Sequence, residues 1–308
     1  MGYKLAGYDH RGGVEIDPKV AAVYKANHKP KHLYVEDIRA FNERTDLPDE
    51  LFDLDLLDGS PPCSSFSMAG SREKGWGKEK VFREGQAHQR LDDLVFTYVD
   101  TIAKLRPKVA ILENVKGLLA GNAKVYAKEI VKRLRGHGYT VQVFLLNAAT
   151  MGVPQMRERC FFIARLDATW PNLVLKFGED PVPFGQYREK EQTGEPINAA
   201  QLVIWSNRIK SDMDFGSIIG RMTGHVNGFS RKLLHDERVC NTLDSTSDLF
   251  CYEVPRQIND IERAITGTYP QDYNFGPLEP KYLIGMSVPP VMTAQIAHQI
   301  NIQWFNKV

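Results

Sequence analysis

The chain has 308 residues, with 39 Lys and Arg against 38 Asp and Glu, giving a formal net charge of +1. That balance leaves no global footprint for a polyanion partner, so any nucleic-acid contact has to come from local patches. No apolar run is long enough to span a bilayer and no signal peptide opens the chain, so the expected compartment is the cytoplasm.

Short β-like runs alternate with helical stretches through the first part. Val14-Glu-Ile-Asp17 reads as a strand end, followed by a helix through Val20–Tyr24. Leu51–Leu57 reads as the next strand. A helix from about Leu91 to Leu105 carries Leu94, Val95, Tyr98, Ile102 and Leu105 on one face. Val109–Leu112 is a buried strand, and Lys124–Leu134 an amphipathic helix closed by Gly136 and Gly138. Thr140–Leu146 and Cys160–Leu166 read as a hairpin-like closing pair. This order predicts an α/β fold: a doubly wound, mostly parallel sheet with a ligand crevice at the strand C-termini. Residues 168–240 are richer in Pro, Gly and mixed charge and show no helical run, which suggests a small irregular lobe. The chain closes with an apolar helix, Val291–Trp304, started rigidly by Pro289-Pro290.

The four cysteines, Cys63, Cys160, Cys240 and Cys251, are far apart and form no Cys-x-x-Cys pair. That argues against a disulfide framework and against a zinc site. Cys63 stands out because it follows Pro61-Pro62 at the end of the Leu51–Leu57 run. The prolines fix the backbone entering the thiol, and the small residues after it leave room for a planar substrate. The same crevice receives Glu113-Asn114-Val115 from the end of the Val109–Leu112 strand. In Gln155-Met-Arg157-Glu-Arg159, strand alternation predicts that Gln155, Arg157 and Arg159 share one side as a cationic row.

Together and in this order, these pieces resemble the cytosine-C5 DNA methyltransferase family of bacterial and phage type, over nearly the whole chain. The carriers are Pro62-Cys63, Glu113-Asn114-Val115, Gly152-Val-Pro-Gln155, Gln155-x-Arg157-x-Arg159, Arg256-x-Ile-x-x-x-Glu262 with Tyr269–Tyr273, and Gly285-Met-Ser-Val-Pro-Pro290. The resemblance implies a Rossmann-like methyltransferase domain over residues 1–167 plus 256–308 and a target-recognition domain over residues 168–255. It implies methyl transfer from S-adenosylmethionine to C5 of a flipped-out cytosine in double-stranded DNA, through a covalent adduct of Cys63 with C6. Glu113 would donate at N3, Arg159 would sit near O2 and the thiol, and Arg157 would support the same site electrostatically. The basic, Gly-rich stretch between Arg72 and Gln86 falls where the family has a loop that closes over the base.

For the donor, the resemblance implies ribose binding by Glu15, adenine packing by Ile16, contact to the adenine amino edge by Asp37-Ile38, and cleft lining by Pro62 and Leu94. Asp37 reads equally as a helix N-cap. The family's opening Phe-x-Gly-x-Gly-Gly turn, which holds the methionine half of the donor, does not precede Glu15. Three explanations stand: a longer N-terminus than the one shown, a separate chain supplying the turn, or a cofactor-deficient relative. Met286 stands where the family typically has Asn.

Target choice is expected within the lobe, where Arg208, Lys210, Arg221, Arg231, Lys232, His225, Asn227 and Ser230 are candidate DNA contacts, and Thr242-Leu243 resembles the pair that closes it. A monomer is expected, with a cognate restriction endonuclease as a possible functional companion. Two other readings remain. A tRNA cytosine-C5 methyltransferase shares the Cys and Glu chemistry, although the Cys-Phe-Thr tripeptide usual in that branch is absent. A non-catalytic DNA-binding relative would retain the lobe and lose donor binding.

Overall fold

The computed structural model describes residues 1–62, 93–190, 193–225 and 231–305. The chain forms two compact units interleaved in sequence. One comprises Met1–Asp9, Asn147–Arg157 and Lys176–His298; the other comprises His10–Leu146, Glu158–Leu175 and Gln299–Val308.

The first unit opens with a short helix, α1 (Gly2–Leu5). A Cβ at Gly2 would fall 2.5 Å from the Pro290 carbonyl oxygen and 2.6 Å from Thr293 Cβ, so only glycine allows this approach.

The second unit holds the main sheet. Strand β1 (Gly12–Val14) pairs in parallel with β2 (His32–Tyr34), with Val14 beside Tyr34. Between them runs α2 (Pro18–His28), started by Pro18 and by the Asp17 carboxylate, which accepts from the Lys19 amide at 2.7 Å. Helix α3 (Ile38–Glu43) follows β2. The expected long strand from Leu51 is shorter in the structure. Asp49–Phe52 form a 3-10 turn after Pro48, Leu51 is buried, and the strand β3 covers only Leu56–Gly59. Asp53 and Asp55 lie before it and pair with Lys108 at 3.8 and 2.8 Å, which keeps their charges in solvent rather than in a sheet.

Helix α4 (Leu94–Leu105) buries Leu94, Val95, Tyr98, Val99, Ile102 and Leu105, the apolar stripe its spacing predicts. Strand β4 (Val109–Val115) is apolar on both faces over its first four residues, as a central strand requires. Helix α5 (Lys124–Gly136) packs Ala127, Ile130 and Leu134 onto the same core. Strands β5 (Thr140–Asn147) and β6 (Glu158–Arg165) are neighbours, as the closing pair predicts, and the sheet order is β3-β4-β6-β5. β3 and β4 are parallel, whereas β4 and β6 run antiparallel over seven residue pairs, so the sheet is mixed rather than mostly parallel. The architecture is of mixed α/β type, with helices packed on a mixed sheet.

The 168–240 segment, read from sequence as lacking helices, contains two. Helix α6 (Ala199–Ser206) is set by a reciprocal capping box between Asn198 and Gln201, and α7 (Phe215–Thr223) by Asp214 at its start and Gly224, φ 77°, at its end. Their signals lie in caps, not in a long periodic stripe. Strands β7 (Arg231–Leu234) and β8 (Asp248–Cys251) pair in parallel. Helices α8 (Asp260–Thr266), α9 (Pro280–Met286) and α10 (Pro290–Ile300) complete the chain, and Asn301–Phe305 continue α10 as a π-helical turn.

Candidate active site

The ends of β3, β4 and β6 gather the chemistry. Parallel pairing sets Gly59 beside Leu112, so the chain leaving β3 emerges next to Glu113. Antiparallel pairing sets Arg159 opposite Val115, one step along the same face from Glu113. The two side chains meet: Arg159 Nε lies 3.0 Å from Glu113 Oε1, and both side chains are mostly buried. Asn114, 3% exposed, donates from Nδ2 to the Pro61 carbonyl at 3.3 Å. The backbone two residues before Cys63 is therefore tied to the residue after Glu113. Cys63 and the Arg72–Gln86 stretch lie outside the described residues.

A further residue was not legible as part of the site. Tyr98, buried in α4, donates its hydroxyl to the Ile111 carbonyl at 2.9 Å, with the Leu57 carbonyl 3.3 Å away. A Cβ at Gly59 would come within 2.4 Å of the Tyr98 ring. Tyr98 thus braces β3 against β4 and leaves space only for glycine where β3 ends. Burial pushes its phenol well above the usual range, so it stays a neutral donor. The available signal was a tyrosine on an otherwise aliphatic helix face.

The expected row of Gln155, Arg157 and Arg159 does not form. Gln155 and Arg157 precede β6, Gln155 in an isolated bridge to Cys240, and are 1% and 2% exposed. The Arg157 guanidinium donates to the Leu243 carbonyl at 2.7 Å and the Gly285 carbonyl at 3.1 Å. Gln155 accepts from the Leu243 amide at 3.0 Å and donates to the Thr266 carbonyl at 3.2 Å. Alternation predicts a side of a strand; here the residues are not in the strand, and carbonyls inside their own unit claim them. Arg256 and Glu262 likewise form a buried ion pair at 2.7 Å, reinforced by a 2.8 Å contact.

The residues expected to meet a methyl donor all fall in the second unit. Glu15 follows β1 directly, and its carboxylate accepts from the Asp17 amide at 2.8 Å. Asp37 follows β2 and does cap α3: it accepts from the Arg39 amide at 2.8 Å and meets the Arg39 guanidinium at 3.1 Å. Because β1 and β2 are parallel, both acids emerge from the same end of that strand pair. Ile16 is half-buried, Ile38 packs on the core of α4 and α5, Pro62 is half-buried after β3, and Leu94 is buried at the start of α4.

Several cationic candidates in the lobe serve the lobe itself. Arg208 stacks on Trp205, 3.2 Å from the ring centre, and donates to the Tyr252 carbonyl at 2.7 Å. Arg221 pairs with Asp212 and donates to the Asn207 carbonyl at 2.9 Å. Lys232 meets Asp244 at 3.0 Å. Lys210 stands largely in solvent, 3.7 Å from Glu237. Asn227 and Ser230 lie outside the described residues.

The mixed sheet thus presents an acid–arginine pair beside a proline-stiffened strand exit. Comparison with known proteins makes the class specific: residues 1–301 match the model of the C-5 cytosine-specific DNA methylase family, and the chain belongs to that family. It is 25% identical over 335 residues to the type II methyltransferase M1.HphI of Haemophilus parahaemolyticus, covering 97% of this chain and 82% of that protein. It is 27% identical over 320 residues to M.AplI of Arthrospira platensis, covering 100% and 83%. Among solved structures, an E. coli prophage protein described as a DNA modification methyltransferase superposes with a TM-score of 0.69 at 18% identity, over 99% of this chain and 95% of that one. That last likeness bears on fold alone. The chain is a DNA cytosine-C5 methyltransferase.

Proposed function

We propose that Cys63 attacks C6 of a cytosine rotated out of double-stranded DNA, with Glu113 and Arg159 handling the charge that develops on the ring. The observation that carries this reading is the 3.0 Å Arg159–Glu113 contact at the strand ends where the Pro61-Pro62 segment is tied down. Cytosine C5 is a poor nucleophile until a thiolate adds to C6 and makes the ring enamine-like. The Cys63–C6 bond forms as electron density moves into the ring; Glu113 donates a proton at N3, and Arg159 donates hydrogen bonds at O2. After C5 has been methylated, a base removes the C5 proton, the electron pair re-forms the C5–C6 double bond, and Cys63 leaves as thiolate. A carboxylate in an ion pair only accepts hydrogen bonds, so donation at N3 requires that the base enter between the two partners and that Glu113 carry a proton. Base entry thus exchanges the Arg159–Glu113 contact for one contact from each residue to the ring. Arg157 plays a supporting part in this reading, holding Leu243 and Gly285 rather than touching the base.

S-adenosylmethionine supplies the electrophilic methyl group. The donor set fits it: the Glu15 carboxylate can accept from ribose hydroxyls, and the half-buried Ile16, Ile38 and Pro62 offer apolar surface for an adenine ring. Asp37, already engaged with Arg39, would meet the adenine amine with its remaining lone pairs. Residues 168–255 are proposed to choose the DNA target. Type II relatives support a place in a restriction–modification pair, with a cognate endonuclease reading the same site.

The test uses full-length gene product, S-adenosylmethionine with a labelled methyl group, and duplex DNA or tRNA of mixed sequence. Label in 5-methylcytosine of the DNA supports the reading. Label in tRNA alone favours the RNA methyltransferase, and DNA binding with no donor binding favours a non-catalytic relative.

A further inference from the structure

The unit that contains residues 176–298 holds a second cluster of potential ligands. Parallel pairing of β7 and β8 sets Leu234 beside Cys251, so His235 and the Tyr252-Glu253 segment leave the same end of this small sheet. Glu237 stands on the turn after β7. One ligand atom from each of His235, Glu237 and Glu253 lies within 4.8 Å of the others.

Acidic residues near a histidine are common, and two observations set this group apart. His235 is 2% exposed, and its Nδ1 has no hydrogen-bond partner among the described residues. Its other ring nitrogen, Nε2, is fixed 2.6 Å from the Asp212 carbonyl, which requires the proton on Nε2 and leaves the Nδ1 lone pair open. That is the outer-shell contact a metal-binding histidine usually has. Tyr252 stacks on the ring at 4.1 Å and prevents it from turning. Second, Glu253 Oε2 is buried without a partner, while Oε1 accepts from the Asp236 amide at 3.2 Å. One buried imidazole nitrogen and one buried carboxylate oxygen, on residues whose ligand atoms come within 4.8 Å of one another, thus have no hydrogen-bond donor among the described residues.

Neighbouring charges do not fill that need. Arg188 is committed to Asp236 through two 2.7 Å contacts. Lys210 and Arg238 lie 3.7 and 4.0 Å from Glu237 on its outer side.

We propose that His235, Glu237 and Glu253 bind one zinc ion, with solvent in the fourth position. One imidazole with two carboxylates is a mixed nitrogen and oxygen set suited to zinc, whose three-ligand sites keep an open position. Ligands of a tetrahedral zinc ion at about 2.0–2.2 Å lie within roughly 3.5 Å of one another. The exposed Glu237 therefore closes the site by turning inward, away from Lys210. The ion would clamp the turn after β7 to the end of β8. This goes against the expectation from the scattered cysteines, because the ligands here include none of them.

The experiment treats the full chain with a chelator, dialyses it, and titrates it with zinc sulfate while following heat, metal content and melting temperature. One tightly bound zinc per chain and a higher melting temperature are expected. Glu237→Ala should weaken zinc binding at least tenfold while leaving the zinc-free melting temperature unchanged, since Glu237 is exposed. His235→Asn should weaken binding further, and X-ray absorption of the loaded protein should show one nitrogen-type imidazole ligand among oxygens. Absence of stoichiometric zinc, or zinc binding unchanged in Glu237→Ala, overturns the proposal. Tighter binding of manganese than of zinc overturns the choice of metal.

Discussion

Arg159 Nε meets Glu113 Oε1 at 3.0 Å across two antiparallel strands, on the face where Arg159 is paired with Val115. The sheet register alone brings these residues together; no loop has to order for them to touch. If both act on one ring, their effects will not be independent. Arg159→Ala and Glu113→Ala should each lower kcat by about 10²–10³ with only a small change in melting temperature. The double variant should lose much less than the product of the two. Single-turnover methylation of duplex DNA measures this, and full additivity would mean that the pair does not function as a unit.

Arg157 should behave differently. Arg157→Ala leaves the Leu243 and Gly285 carbonyls without their donor and opens buried space, at a cost of about 3 kcal/mol in unfolding free energy. Arg157→Lys should rescue little, because one ammonium cannot reproduce the planar fork that reaches both carbonyls. Urea denaturation separates this from a catalytic effect: a variant as stable as the wild type but inactive would return Arg157 to the active site.

Gly59→Ala drives a methyl into Tyr98, with a cost of about 1–3 kcal/mol. Tyr98→Phe keeps the ring and loses the bond to Ile111, worth about 1 kcal/mol. Because both changes act where β3 ends, activity should fall by more than stability predicts. Assays at a temperature where each variant is fully folded provide the check.

These contrasts show what the sequence made legible. Strand β4 was readable because a central strand is apolar on both faces, and α4 and α5 because their stripes repeat at helical spacing. Glu113 and Arg159 were readable as motif members, but their contact depends on register, which single-sequence patterning does not supply. The row of Gln155, Arg157 and Arg159 was misread because alternation assigns a side to a residue in a strand and says nothing about a carbonyl distant in sequence. Helices α6 and α7 were missed because they are short and defined by Asn198, Asp214 and Gly224 at their ends. The His235–Glu253 grouping exists only once β7 and β8 pair.

The described cysteines provide a pH prediction. Cys160, Cys240 and Cys251 are buried, and burial pushes the Cys240 and Cys251 thiols up to about 12. At pH 8 a thiol with that value is ionised to about one part in 10⁴ and should resist alkylation. Brief treatment of the folded chain should therefore leave Cys160, Cys240 and Cys251 unmodified, and denatured chain should take up four labels. The same shifts carry a stability sign. The unfolded thiols lose their protons first, so the contribution of Cys240 and Cys251 is intact below about pH 8.5 and declines as pH rises towards 12. Denaturation midpoints at pH 7, 9 and 10.5 should fall in that order.

The most direct test of the central claim is the mass of the protein after incubation with S-adenosylmethionine and duplex DNA carrying 5-fluorocytosine at its target sites. Fluorine at C5 cannot be removed as a proton, so the final elimination stalls. A denaturation-resistant protein–DNA adduct that maps to Cys63, needs the donor and disappears in Cys63→Ser is the predicted result. An active enzyme that yields no adduct, or an adduct that persists in Cys63→Ser, would contradict the assignment of Cys63 as the attacking group.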